Sequence, residues 1–407
     1  MPGGENPTRR GQLRMIGVYL SIYAAYGTFV PYISVFLKRK GMSDFQVGAL
    51  SAVGPILTFV SPILWGLACD AMGSRRKPLA LTMVLSGLTF PALLVVDGFW
   101  MMMAVLVLFN FFFRPSLSMG DAAALEFVEA SKHDYGRLRM WGGIGFVIPL
   151  GVLSLFMGKE SGESVAPERL APMFAGYFVC ATLAAVSALR LPEQRPAHFT
   201  NILKWHILRR VLSPNILLLV LCGSVHAAVM MTYYVFLPIR LDELGVADNF
   251  KSLFWAIAVI PEIGFFYFVG SISRKVGKKW LFVMGISASA VRLAIFASAE
   301  NYWLIGLGQT LHSLSFAASY VATVTLVDGE VPGRLRTTGQ TFAYGVGTGL
   351  GGTVGLLLGG KMADLWGIPT LFGLASVVTL VVALVAMIFL KERVVERVSG
   401  GTPQQPV

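Results

Sequence analysis

Twelve mostly apolar runs limit this chain more than any other feature, because about 20 such residues in helical form cross the hydrocarbon of a bilayer. They fall near residues 12–37, 45–72, 77–96, 99–129, 137–157 and 170–190, then 214–240, 250–273, 279–299, 302–328, 337–361 and 367–390. Backbone N–H and C=O groups in hydrocarbon must be bonded internally, so only helices or a closed barrel fit. The runs show no alternating period, which points to helices. The expectation is an all-α membrane protein with twelve transmembrane helices.

Composition agrees. The chain is 55% hydrophobic and 14% charged, where a soluble domain carries about 25% charged residues. A net charge of +11 would suit a nucleic-acid partner. The basic residues instead stand in short connectors, as the positive-inside rule requires. If the N-terminus is cytoplasmic, 23 of the 33 lysines and arginines fall on that side. That predicts an inner (plasma) membrane protein with both termini cytoplasmic and no nucleic-acid partner. Lys38-Arg39-Lys40 is the one basic cluster against the trend. The first apolar run is too long for the core of a signal peptide and reads as a retained span.

Cys69, Cys180 and Cys222 lie in apolar runs without paired spacing, so neither a disulfide framework nor a metal site is expected. There is no phosphate-binding loop, zinc spacing or nucleophile elbow. No cofactor is expected, nor an enzyme. Membrane lipid and a small solute are the expected partners of a monomer.

The chain also repeats itself. Tyr26-Gly-Thr-Phe-Val-Pro31 returns as Tyr233-Tyr-Val-Phe-Leu-Pro238, and Gly-Arg-Leu-Arg occurs at 136–139 and 333–336. Equivalent spans 1 and 7, and 5 and 11, imply two pseudo-symmetric six-helix bundles, 1–190 and 214–392. A basic linker at 191–213, in which Trp205-His-Ile-Leu-Arg-Arg suits a short interfacial helix, joins them. The tail 393–407 reads as disordered.

Charges inside spans mark the candidate site, since each costs about 2.5–3.5 kcal/mol to insert and normally faces protein or water. Arg114, Glu262, Arg292, His312 and His226 fall at or near the midpoints of five different spans. Asp121 lies seven residues beyond Arg114, about 10 Å along the helix, too far for a direct pair. Arg139 is the expected partner of Asp121, and Arg292 of Glu262. Gln309 shares a face with His312, while Glu126 and Glu129 lie toward the cytoplasmic end and suit solvent. Among aromatics on cavity-lining spans, Tyr26 lies in the repeated motif. Phe146 is two turns from Arg139 and could stack on a solute ring.

Between spans 2 and 3 stands Gly66-Leu-Ala-Cys-Asp70-Ala-Met-Gly73-Ser-Arg75-Arg76-Lys77. Asp70 closes a helix end, Gly73 permits a tight turn, and the basic run anchors it. The pattern resembles the signature loop of the major facilitator superfamily. Segments 26–50, 110–146, 226–228, 259–262, 291–292 and 311–316 are further similar to the phenylpropionic acid permease group and, more distantly, to lactose permease. Asp-Tyr-Gly-x-x-Arg-x-Trp-Gly at 134–142 is the most specific of these. The resemblance implies solute binding by Arg139 and Arg292, and proton coupling at His312. The chain departs from lactose permease at Ser315, where that protein has a coupling glutamate, and in having Arg114.

Together these readings predict a secondary active transporter working by alternating access. It would move an aromatic acid, sugar or nucleoside by proton symport. Arg139, Arg292, Asp121, Tyr26, Phe146 and Gln309 would bind solute, and His312, Glu262, Asp121 and His226 would couple protons. Gly66, Asp70, Gly73, Arg75 and Arg76 would form the conformational motif. The alternatives are an exporter or antiporter and, from another class, a non-transporting membrane sensor.

Overall fold

The computed structural model describes residues 7–131, 135–192, 213–331, 343 and 345–392, and every described element of regular structure is a helix. α1 (Pro7–Phe29) and α2 (Ile33–Arg39) share the first expected span, parted by a turn. Ser43 and Gln46 form a capping box at the start of α3 (Asp44–Met72), satisfying donors that a helix start leaves open. α4 (Arg76–Thr89) runs on into a 3-10 turn, Phe90–Leu94. α5 (Phe99–Ser131), α6 (Tyr135–Ser154) and α7 (Ala171–Leu189) follow.

α8 (Pro214–Glu243) begins under a Ser213 cap with proline in its first turn, where the missing N–H is no loss. Next come α9 (Asp248–Val276), α10 (Lys278–Ser298) and α11 (Tyr302–Gln309). A π-helical turn at Leu314–Ala318 leads into α12 (Ser319–Glu330). A second π segment, Gly345–Gly351, leads into α13 (Gly352–Phe389), which kinks at Gly367.

Ten described helical stretches are long and apolar enough to cross a membrane. The fifth expected span contributes the shorter apolar helix Leu138–Ser154, and the last two merge into Gly345–Phe389 across the kink. The protein is an all-α, multi-pass membrane protein. The linker, the second Gly-Arg-Leu-Arg copy and the tail lie outside the described residues, apart from 191, 192 and 213 in the linker. The side chains of Glu126 and Glu129 lie outside them too. The repeated aromatic–proline motif takes two forms: Pro31 falls in the turn between α1 and α2, whereas Pro238 sits inside continuous α8.

α1 packs on α6 and α7, α5 on α3 and α4, and α13 on α8 and α10. Among the contacts that join early and late helices are α3 with α13 and α6 with α9. Where α6 meets α9, Gly143 approaches Ile263 so closely that a Cβ would sit 2.9 Å from its side chain. A larger residue there would push α6 away from α9.

The exceptional basic cluster has a structural explanation. Arg39 makes a bidentate contact with Asp248 at 2.7 and 2.8 Å and reaches Asp242 at 3.1 Å. Lys251 lies 2.6 Å from both carboxylates. The side chains of Arg39, Asp248 and Lys251 have no exposure at all. Two cations thus balance two anions where neither pair would be tolerated alone. Asp242 also accepts from the Gly162 backbone, and Asp248 and Asn249 donate their backbone N–H groups to the Glu160 and Gly158 carbonyls. Segments more than 200 residues apart are locked together at one end of the bundle. Beside it, Ser43 and the Asp44 N–H bond to Asp364, tying α3 to α13.

Removing one partner of such a cluster strands a buried charge, at a cost of about 3–5 kcal/mol. Arg39→Met should therefore lower the Tm of the detergent-purified protein strongly. Arg39→Met combined with Asp248→Asn should cost less than the sum of the two single changes. Additive losses in thermal unfolding would show that the four charges do not act as a unit.

Candidate functional site

Arg292 on α10 has no solvent exposure. Its guanidinium lies 4.0 Å from the Tyr233 ring centre and 5.8 Å from that of Phe296. Nη1 is 2.6 Å from His312 Nδ1, Nη2 approaches the Met230 sulfur at 3.6 Å, and buried Nε has no partner among the described residues. A guanidinium can only donate, so Nδ1 must accept and the imidazole proton resides on Nε2. That nitrogen lies 3.4 Å from Glu262 Oε2. The result is a chain, Arg292–His312–Glu262, with a neutral ring between opposite charges.

Its surroundings fix its parts. The His312 ring stacks on Phe316 at 5.6 Å, just inside the π turn. Such turns change the phase of a helix and are frequent at functional sites. Gln309 is fully buried, accepts from Tyr233 Oη at 2.9 Å and donates to the Phe254 carbonyl at 2.9 Å. These bonds hold the Tyr233 ring under the guanidinium. His226 lies against Ser289 at 2.7 Å, and the Ser289 hydroxyl is 4.0 Å from the same Met230 sulfur that Arg292 approaches.

A second group forms on α1, α5 and α6. Tyr19 donates to Asp121 at 2.7 Å. The Tyr19 and Tyr23 rings stack at 6.0 Å, and the Arg139 guanidinium sits 4.5 Å from the Tyr23 ring centre, a cation–π distance. Asp121 and Arg139 are thereby linked through two tyrosines. Arg114 is half-buried and donates from Nε to Asn110, one turn earlier, at 3.0 Å.

The two groups approach each other where α6 meets α9. Gly143 touches Ile263, the neighbour of Glu262. Phe146 lies 5.9 Å from Tyr26 and 6.4 Å from Trp255, and Tyr234 stacks on Trp255 at 5.5 Å while meeting His312 at 6.1 Å. An apolar aromatic cluster thus runs from Tyr23 and Tyr26 to Tyr234.

The connector motif has the expected backbone. α3 ends at Met72, and Gly73 takes φ 56, ψ 25, a left-handed conformation that side chains disfavour. Its N–H bonds to Asp70 O, Ser74 N–H bonds to Cys69 O, and Arg76 reaches Leu191 O at 3.4 Å. Gly66, Asp70 and Arg75 stand on α3 and its exit turn. Among the described residues no group of three or more His, Cys, Asp or Glu side chains could hold a metal.

The family model described as the MFS_1 like family matches residues 12–374. The chain belongs to that family. It is a major facilitator transporter, a secondary carrier of small solutes and not an enzyme. This MFS_1-like chain is 26% identical to a maltose permease of Geobacillus stearothermophilus, covering 94% of each. It is 25% identical to a probable 3-phenylpropionic acid transporter of Escherichia coli, over 80% of this chain and 86% of that one. Among solved structures, a single-site mutant of the nucleoside transporter NupG superposes with a TM-score of 0.81 at 17% identity, covering 93% of this chain and all of the other. A bacterial homologue of the lysosomal transporter Spinster, inward-facing and occupied, gives 0.75 at 14%, covering 94% and 97%.

Two expectations for this transporter change in detail. Glu262 does not pair directly with Arg292 among the described contacts; His312 stands between them. Arg114, a span charge expected to find its partner elsewhere, is held by Asn110 on its own helix. Phe146 is buried in the aromatic cluster, and Tyr23 stacks on Arg139. Sequence does not mark Tyr19, Met230 or Ser289, because tyrosine, methionine and serine in apolar runs carry no distinguishing pattern. Only the buried charge of Arg292 or Asp121, needing partners, could have prompted a search for them.

The chain makes one structural demand: Arg292 Nη1 needs an acceptor. His312→Phe should lower thermal stability in detergent by about 3–5 kcal/mol, as loss of a buried partner does, while His312→Gln, which keeps an acceptor oxygen, should recover much of it. Equal melting of the Phe variant and wild type would remove the contact from the account.

Proposed function

We propose that this chain is a proton-coupled symporter of a small organic solute, of the aromatic acid, sugar or nucleoside class, in the cell inner membrane. Twelve spans form two six-helix bundles, residues 1–190 and 214–392, which rock about a central site as a monomer with both termini cytoplasmic. In that orientation the Arg39–Asp242–Asp248–Lys251 cluster lies at the extracellular end and must separate for the site to open outward. Relatives named for maltose, nucleoside and 3-phenylpropionic acid transport support this range of solutes.

The Arg292–His312–Glu262 chain carries the proposal. Neutral His312 accepts from Arg292 on Nδ1. A proton added to the imidazole occupies Nδ1, so the ring can no longer accept, and imidazolium repels the guanidinium while holding Glu262. Arg292 then turns to another acceptor, the solute. Proton loading and solute binding therefore favour each other, which is the thermodynamic content of symport. Arg139, on Tyr23, binds the solute from the other bundle, and Asp121 with Tyr19 orients that surface. Tyr26 and Phe146 form its apolar floor, Gln309 holds Tyr233 in place, and His226 with Ser289 backs the coupling helices. The turn containing Gly66, Asp70, Gly73, Arg75 and Arg76 acts as the cytoplasmic pivot.

In proteoliposomes with an inward proton gradient, wild-type protein should accumulate solute, more as the outside is acidified. Glu262→Gln should lose gradient-driven accumulation but keep solute exchange, whereas Arg139→Ala should lose both with normal membrane insertion. Accumulation by Glu262→Gln at the wild-type level would overturn proton coupling through this chain, and normal uptake by Arg139→Ala would remove that residue from the site.

A further inference from the structure

The charges near the middle of the described spans do not balance. Asp121 is offset by Arg139, to which two tyrosines link it, and Glu262 by Arg292 through His312. Arg114 has no carboxylate partner among the described residues. Its Nε is held by Asn110, which is itself fixed by a 2.8 Å bond to the Leu106 carbonyl. One terminal nitrogen, Nη2, and the Cζ lie against Gly54 on α3, in space that a Cβ would fill. The guanidinium is thus positioned by a neutral amide and a glycine while its charge stays uncompensated. It is half-buried, and exposed Ser118 follows one turn later on the same side of α5, with half-buried Asp121 beyond.

We propose that Arg114 is the subsite for a carboxylate on the transported solute, so that the solute is an organic monoanion. This rests on the transporter reading and narrows its solute class. A positioned guanidinium presents two parallel N–H donors in the geometry a carboxylate accepts. One bound monoanion brings the central charge to balance while the His312 ring is neutral. A neutral sugar or nucleoside would leave Arg114 as the excess cation in a low-dielectric site.

The field of Arg114 can be read without knowing the solute. Ser118→Cys, in protein whose Cys69, Cys180 and Cys222 are replaced by serine, places a thiol one turn away. In purified protein its rates of reaction with anionic sulfonatoethyl and cationic trimethylammonioethyl methanethiosulfonate are compared. Arg114→Gln should lower the anion-to-cation rate ratio about tenfold, the combined effect of one unit charge on two opposite probes about 6 Å away in water. Arg114→Lys, which keeps the charge, should preserve the ratio and separate charge from packing.

Aromatic and hydroxylated monocarboxylates, benzoate, phenylacetate and gluconate among them, should slow labelling more than their amides do, and Arg114→Gln should erase that difference. An unchanged rate ratio in Arg114→Gln overturns the assignment. So does equal protection by amides, or no protection by any carboxylate. Neither measurement involves transport, so loss of proton-driven uptake would fail the symport reading alone.

Discussion

Arg292 is a cation sealed from solvent in the middle of a helical bundle, and much of the late half is arranged to keep its charge there. Isolated, a buried guanidinium keeps its proton and would drag water inward. Here an aromatic face lies beneath it, a thioether and an imidazole nitrogen receive its terminal donors, and a carboxylate stands one ring further on. The supports come from three elements: α8 for Tyr233 and Met230, the π turn region for His312, and α9 for Glu262. The packing of these helices and the state of one imidazole are therefore the same problem. A group whose protonation changes a buried hydrogen-bond pattern can shift helices, and the proposed coupling depends on that.

A similar rule operates at the end of the bundle. Arg39, Lys251, Asp242 and Asp248 are buried as a neutral set, with the backbone of a distant loop supplying further bonds. A hydrophobic seal would gain nothing from water on being opened. A four-charge cluster gains hydration as it separates, which offsets part of the lost attraction. Such a contact suits a surface meant to close and reopen. The small-residue approach at Gly143 suits a surface that must stay close to its neighbour.

Much of this could be read from the chain alone, because lipid makes strong demands on sequence. Apolar length gave the helices, and the depth of charges within them brought Glu262, Arg292 and His312 to one level. The order of those three could not be read. Arginine with carboxylate is the default pairing, and only the packing of α9, α10 and the π turn inserts His312 between them. Lys38-Arg39-Lys40 stood out as an exception to the charge bias, but its partners lie more than 200 residues away. Tyr19 and Tyr23, which connect Asp121 to Arg139, are indistinguishable in sequence from any tyrosines facing lipid or core.

The central claim is the protonation pattern of one ring. Nitrogen NMR of protein labelled with 15N-histidine, with His312 assigned by its loss in His312→Gln, reads that pattern directly. The account predicts a neutral ring protonated on Nε2, with Nδ1 showing the shift of a hydrogen-bonded acceptor that disappears in Arg292→Met. A ring protonated on Nδ1, or an Nδ1 shift indifferent to Arg292, would contradict it.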